Sequence, residues 1–298
     1  MSKIIVASPF LHYAARSGVK RLVITTFRGK SSIIAHTVLI VGCVTMLFPL
    51  VWMGLLSVSS NPAGDASLGE LLRGVFTLSN YTDALRSDQF GIYFLNSVLV
   101  ATIVAVGSAI FSTTVAYAFA RREFRMKKLL FASVLGVLMV PPHVVMIPLY
   151  REIVNFGWIN TYFALTIPFM VTPFGIFLMR QYIEGLPKEL EEAARIDGAK
   201  TLGILRGIIF PLSTPMLVVL FIYQFLTTWN AFLFPFLFTN KAMMRTLPVG
   251  LAFYQGKQSI DWGHLMAGAG MSAIPVLILF AVFQRKIIAG FTAGALKG

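Results

Sequence analysis

The residues able to do chemistry in this chain gather in one stretch, Lys188 to Pro211, which reads KELEEAARIDGAKTLGILRGIIFP. It carries four acidic and four basic side chains with no histidine or cysteine among them. Carboxylates and cations in that company offer ion pairing to another protein surface rather than metal binding. Elsewhere His12, His36, His143 and His264 are scattered, and no two have the spacing of metal ligands. Each fits an interfacial or packed histidine. Cys43 stands alone inside an apolar run, so no disulfide framework exists. The expected catalytic set and the expected metal set are both empty.

The elements that must position this stretch are helical. Pro187 suits a first helical position, where its missing N–H would go unpaired in any case. Leu186, Leu190, Ala193 and Ala194 recur with helical spacing and predict one apolar stripe. Lys188, Glu191, Glu192 and Arg195 then fall on the opposite, polar side. Gly198 follows where a C-terminal cap requires a left-handed residue. Thr201 can cap a second helix that runs through Leu202, Leu205 and Ile208 into the next apolar run. A helix, a glycine corner and a second helix, tethered at both ends, make a rigid protrusion.

The tethers are membrane spans. The 298 residues are 57% hydrophobic and only 12% charged, against about 25% charged in a soluble domain, and the mean hydropathy is +0.78. Six charge-free segments are long enough to cross a bilayer as helices. The expected spans are about 33–57, 91–119, 129–150, 161–181, 207–233 and 264–284. The third is interrupted in its second half by Pro141, Pro142 and Pro148. Placing the N-terminus inside puts 19 of the 25 lysines and arginines on the inner segments, while the acidic residues divide evenly. That bias orients both termini and the 180–206 protrusion toward the cytoplasm. It also accounts for the net charge of +13 without nucleic acid. The first apolar run is too long for a cleaved leader and is expected to be retained. The expected fold class is therefore all-α: a polytopic membrane protein with six transmembrane helices and cytoplasmic termini. Within it, 1–32 is a cytoplasmic N-terminal segment, and 33–298 is the transmembrane domain. That domain holds a cytoplasmic helical loop at about 186–206, an external loop at about 240–262 and a tail at about 285–298. Small residues repeat in the second span (Ala101, Ala105, Ala109, with Ser108, Ser112, Ala116 and Ala120) and in the sixth (Gly263, Ala267, Gly268, Gly270, Ser272), as close helix packing requires.

Glu192-Ala193-Ala194, three residues, Gly198, nine residues, Ile208, one residue and Phe210-Pro211 together resemble the EAA loop of ABC importer permeases. The spacing is intact, and the one departure is Phe210 where leucine is usual. The resemblance implies that the short helix is a coupling helix seated in a groove of an ATPase subunit. Glu191, Glu192, Ala193, Ala194, Asp197, Gly198, Ile208 and Pro211 would then form the ATPase-coupling set. Further strings are similar to the second permease subunit of maltose-type carbohydrate importers. They are Asn96-Ser97, Tyr117-Ala118-Phe119-Ala120-Arg121, Trp229-Asn230, Leu247-Pro248-Val249-Gly250 and the tail Gly290 to Gly298. This second resemblance runs from about residue 33 to the end. It implies a second, homologous permease, two ATPases and an extracytoplasmic solute-binding protein, with multi-pass residence in the bacterial cytoplasmic (inner) membrane and lipid around it. The external loop would reach toward the binding protein and the tail toward the ATPases. No phosphate-binding P-loop is present: Gly29-Lys30-Ser31 and Gly256-Lys257 each miss its spacing. ATP and Mg are accordingly expected on the partner ATPases, with no cofactor on this chain.

Apart from Arg180 at the inner end of the fourth, the expected spans contain no Asp, Glu, Lys or Arg, which disfavours a proton- or ion-coupled carrier. Their polar content is neutral, and the candidates for a translocation path are Asn96, Tyr150, Tyr223, Gln224, Thr228, Trp229 and Asn230. Two roles are open to each: lining a route for hydroxyl-rich solutes, or interhelical hydrogen bonding and interfacial anchoring. The path role predicts that Trp229→Ala or Asn230→Ala lowers transport and leaves assembly intact. The expected function is a non-catalytic permease subunit of a carbohydrate importer. A permease for another solute, such as a glycerol phosphodiester, an amino acid or an ion, is compatible with the EAA loop alone. A polytopic membrane enzyme would need an interfacial acid, base, nucleophile or metal site, and the sequence supplies none.

Overall fold

The structure, a computed structural model, describes residues 30–295 apart from positions 63, 65, 88 and 256–259; side chains are described over 33–284, again without those positions and 87. The chain before residue 30 and the side chains of the tail from 285 lie outside the described residues, and with them the expected N-terminal segment and tail contacts. Every regular element among the described residues is helical. Among the described residues, three helices are long and apolar enough to cross a membrane: Ile33–Val58, Phe90–Arg121 and Trp262–Gln284. Two bent pairs raise the number to five, Tyr162–Phe169 with Pro173–Glu184 at 41° and Thr201–Leu212 with Thr214–Trp229 at 79°.

The prolines explain the differences from the six expected continuous spans. The stretch expected at 129–150 forms two helices, Lys127–Leu138 and Met146–Asn155. Pro141 and Pro142 lie between them and lack the N–H that would continue the ladder. The expected run from Thr201 into the fifth span is likewise corrected. Leu205–Ile209 widens into a π turn, Ser213 closes one segment, and a new helix starts at Thr214 with Pro215 in its first turn. Pro211 and Pro215, four residues apart, each remove a donor from the i→i−4 ladder, and the chain turns between them. In the fourth span Thr172 caps the second segment by accepting from the Gly175 N–H at 3.1 Å.

The chain separates into two units near residue 51. In the first, the helix residues Ile33–Val51 present an almost wholly exposed apolar surface. In the second, the Phe90–Arg121 helix is the central element and packs against both Thr214–Trp229 and Pro173–Glu184. Most of its small residues face inward as expected: Ala101, Ala105, Ser108, Ser112 and Ala116 are fully buried, while Ala109 and Ala120 are partly exposed. One apolar cluster joins Phe90, Tyr93, Ala101 and Ala105 to Phe225, Trp229, Leu247, Leu265 and Met271. A second joins Ala116 and Tyr117 to Met179, Ile183, Ile204, Leu205, Ile209 and Leu220. Gly250 is required for close approach, since a Cβ there would lie 2.1 Å from the Tyr93 ring.

Candidate functional site

The polar stretch folds as a short helix, Glu189–Ile196, with Lys188 as its N-cap residue. Pro187 therefore stands one position before the cap rather than inside the first turn. Glu189, Glu191 and Glu192 occupy the first turn and Arg195 the last, in accord with the helix dipole. Asp197 is the C-cap, and Gly198 follows at φ +84°. The Ala199 N–H donates to the Ala194 carbonyl at 2.8 Å and the Gly198 N–H to the Arg195 carbonyl at 3.0 Å. These two bonds complete a Schellman cap, which needs a left-handed residue where Gly198 stands. Thr201 does not cap the next helix; its hydroxyl accepts from Arg122 Nη2.

The face this helix turns inward differs from the predicted stripe. Glu191 is 3% exposed, Ala194 is half-buried, and Leu190, Ala193 and Ile196 face outward. Glu191, expected on the polar side, is corrected to an internal anchor. Its Oε1 accepts from Arg121 Nε at 2.7 Å, and its Oε2 accepts from the Tyr117 hydroxyl at 3.3 Å. Arg121 also donates through Nη2 to the Leu186 carbonyl at 2.6 Å. The side chains of Arg121 and Glu191 are each only 4% exposed. Charge-assisted bonds in so dry a setting fix geometry as well as energy. Tyr117 and Arg121 are one helical turn apart, so a single face of the second span holds the short helix in place. Beside this junction Glu123 accepts from Lys127 Nζ at 2.9 Å, and that hydrogen bond holds its carboxyl below the usual range.

What the short helix leaves outward is a mixed surface of Glu189, Leu190, Glu192, Ala193, Arg195 and Ile196, all exposed. Ile196 is 87% exposed, the largest value among the exposed bulky apolar side chains. Its place beside the Gly198 corner was legible in the sequence as an apolar residue out of phase with the expected stripe. Ile208 and Pro211 lie in the segment after the corner. Ile208 packs against the apolar cluster that also takes up Ala194 and Leu186.

The path candidates separate into two groups. Gln224 and Trp229 are 4% and 3% exposed. Trp229 Nε1 donates to the Ser272 carbonyl at 3.1 Å, and its ring stacks on Phe225 at 5.8 Å and meets Phe94 edge-on at 5.6 Å. Gln224 Nε2 donates to Thr228 Oγ1 at 3.3 Å, one turn away. Tyr223 and Asn230 lie on the exposed side of the same helix with Thr227 between them, and Phe174 packs on Tyr223 at 4.6 Å. Tyr150, on Met146–Asn155, is exposed as well. Asn96 is buried and wholly engaged within the chain. Its Nδ2 donates to the carbonyls of Met243 at 2.8 Å and Arg245 at 3.0 Å, and its Oδ1 accepts from the Tyr162 hydroxyl at 2.7 Å. Next to it Ser97 Oγ accepts from the Leu247 N–H at 2.7 Å. Among the described residues no group of His, Cys, Asp or Glu could hold a metal ion.

The family described as the inner membrane component of binding-protein-dependent transport systems matches residues 110–291. This chain belongs to that family. Among its relatives, the trehalose/maltose transport system permease protein MalG of Thermococcus litoralis is 37% identical over 278 residues, covering 90% of this chain and 99% of that protein. The arabinooligosaccharides transport system permease protein AraQ of Halalkalibacterium halodurans is 40% identical over 239 residues, covering 77% and 86%. A solved bacterial ABC transporter involved in the import of the acidic polysaccharide alginate contains a chain of like fold. It has a TM-score of 0.76 and 25% identity, and the match covers 88% of this chain and 99% of that one. Family membership makes the chain a multi-pass component of the cytoplasmic membrane and a transport permease.

Proposed function

We propose that this chain is one of two homologous but non-identical permease subunits of an ATP-driven importer for a carbohydrate. Its coupling helix Glu189–Ile196 engages one of two partner ATPases, which bind and hydrolyse ATP with Mg; the chain itself carries no cofactor and no catalytic group. The external loop at about 240–262 faces an extracytoplasmic solute-binding protein. The carbohydrate class is supported by the trehalose/maltose and arabinooligosaccharide permeases to which the chain is similar. The observation that carries the coupling reading is the Gly198 corner with its complete Schellman cap and its outward apolar residues Leu190, Ala193 and Ile196.

Glu192 projects from that outward face and is placed to pair with a basic group on the ATPase. Ala193 forms part of the seat itself, and Ala194 packs the helix down. Asp197 ends the helix at the corner, while Ile208 and Pro211 root the following segment. Solute would pass along the exposed polar side of the fifth span, where Tyr223 and Asn230 stand, with Tyr150 contributing from another helix.

The decisive experiment is Gly198→Val. Among the described residues, no atom beyond Gly198 and its two chain neighbours lies within 4 Å of a Cβ at that position, so the main cost is the left-handed backbone, about 1–2 kcal/mol. The expected result is lost uptake together with weakened ATPase association or ATP turnover freed from its dependence on binding protein, while membrane insertion is retained. Normal stimulation and uptake would refute the coupling assignment. A milder loss is expected for Glu192→Ala in the same assay.

The six-crossing topology with cytoplasmic termini rests on the basic bias and is tested separately. Reporter fusions after Lys30, Arg125 and Lys200 should read cytoplasmic, and those near Asp65 and Lys257 external. An external reading at Lys200 would place the short helix away from ATP and defeat the proposal.

A further inference from the structure

We propose that the Phe90–Arg121 helix is a strut through which the external loop and the coupling helix move as one, with Asn96 and Arg121 as the positioning residues at its two ends. The inference rests on the coupling reading above. The helix has 32 residues and no proline, which makes it about 48 Å long. Of the other spanning elements, two are continuous helices with a proline inside, Pro49 and Pro275, and the remaining two are bent by 41° and 79°. Sharp bends in helices arise at proline, at π turns or at inserted groups, and this helix has no proline and is one unbroken α-helix. Its one glycine in the packed middle, Gly107, is held by its surroundings: a Cβ there would lie 2.7 Å from Met170 Cγ.

Both ends are fastened by buried polar contacts rather than by packing alone. At the first end, Asn96 and Ser97 hold three backbone groups of the 243–247 segment: the carbonyls of Met243 and Arg245 and the N–H of Leu247. Asn96 and Ser97 are 4% and 2% exposed. The segment they hold leads directly into the helix Leu247–Gln255, which presses Gly250 against Tyr93 of the strut. At the other end, Tyr117 and Arg121 grip Glu191, and Arg121 takes the Leu186 carbonyl as well. Arg122 reaches past the corner to Thr201. The segments so held are 147 and 70 residues from their anchors along the chain, so no local turn ties them together. A displacement of the loop therefore acts on a stiff element whose far end is bonded to the coupling helix. The specificity of the arrangement lies in atoms: two amide protons at Asn96, and the Nε and Nη2 of Arg121, with the span between them about 38 Å.

The test is a double-substitution cycle on the reconstituted complex. It reads the ratio of binding-protein-stimulated to basal ATP turnover for Asn96→Ala, for Arg121→Lys and for both together. Each single change is expected to lower the ratio about five- to tenfold, the scale of one lost hydrogen-bonded anchor. In the double variant the ratio should fall no further than in the worse single one, because a strut released at one end transmits nothing to the other. Sites this far apart that act separately multiply their effects to within about twofold, and a multiplied loss would overturn the strut. Should either variant fail to assemble, Asn96→Ser and Tyr117→Phe repeat the cycle with smaller losses and the same two outcomes. The Gly198→Val complex, assayed alongside, keeps the readings apart. Uncoupling there with multiplied ratios in the cycle removes only the strut, whereas a normal Gly198→Val complex removes the coupling reading beneath it.

Discussion

Glu191→Ala is expected to lower the stability of the isolated chain by about 3–5 kcal/mol, because it strands Arg121 as an unpaired buried charge. The pair is dry, with each side chain 4% exposed, so solvent cannot take over the role of the carboxylate. Arg195, 3.8 Å from Glu191 Oε2 and itself half-exposed, turns to water without cost. The check is the thermal midpoint of the purified protein in detergent, together with the yield of assembled complex. Replacing both partners, Glu191→Met with Arg121→Met, should recover much of the midpoint, since an apolar pair of similar volume needs no desolvation. On the proposed coupling role it should not recover stimulated ATP turnover, because the polar grip on the Glu189–Ile196 helix is gone. A Glu191→Ala protein with an unchanged midpoint would show that the pair is hydrated and that the helix is held by other means.

Trp229→Ala should be as damaging, through the packing role the sequence left open beside the path role. The side chain is 3% exposed, stacks on Phe225 and donates its indole N–H to the Ser272 carbonyl. Truncating a buried aromatic of this size costs about 3–5 kcal/mol through lost burial and the cavity left behind. The expected outcome is a destabilised or poorly assembled protein rather than an intact complex that fails to transport. Asn230→Ala, on the exposed side of the same helix, should stay within about 0.5 kcal/mol of the parent and lower uptake alone. Thermal midpoints and uptake measured on the two variants side by side separate the roles. Equal midpoints would return Trp229 to the list of path residues.

Sequence pattern carried much of this architecture, and the places where it fell short have physical causes. Hydropathy located the apolar runs, and the first, second and sixth appear as helices within a few residues of their expected bounds. Where prolines stand four apart or side by side, length and hydropathy still read as one crossing, but the missing donors break or bend it. Gly198 was legible because a positive φ admits few other residues. Glu191 was not, since a charged side chain in an amphipathic pattern is assigned to the solvent face unless its partner is known. That partner, Arg121, is 70 residues away, and no periodicity links the two. The same limit applied to Asn96, whose bonds go to carbonyls 147 and 149 residues on. Trp229 and Asn230 are adjacent, and a one-residue step on a helix separates a core position from an exposed one.

The division of labour within the eight residues of the short helix Glu189–Ile196 has a consequence for engineering. Glu191 is committed to the fold, whereas Glu189, Leu190, Glu192, Ala193 and Ile196 touch little inside the chain and are free to vary with whatever they face. On the coupling reading proposed above, recognition of the motor can be rewritten without re-solving the architecture. Grafting those five outward positions from one importer to another, with the Arg121–Glu191 lock left in place, should transfer the choice of motor while the rest of the permease stays as it is. Should that transfer be observed, a membrane that houses several importers built this way could keep their power supplies separate, or share one, by editing a handful of surface letters.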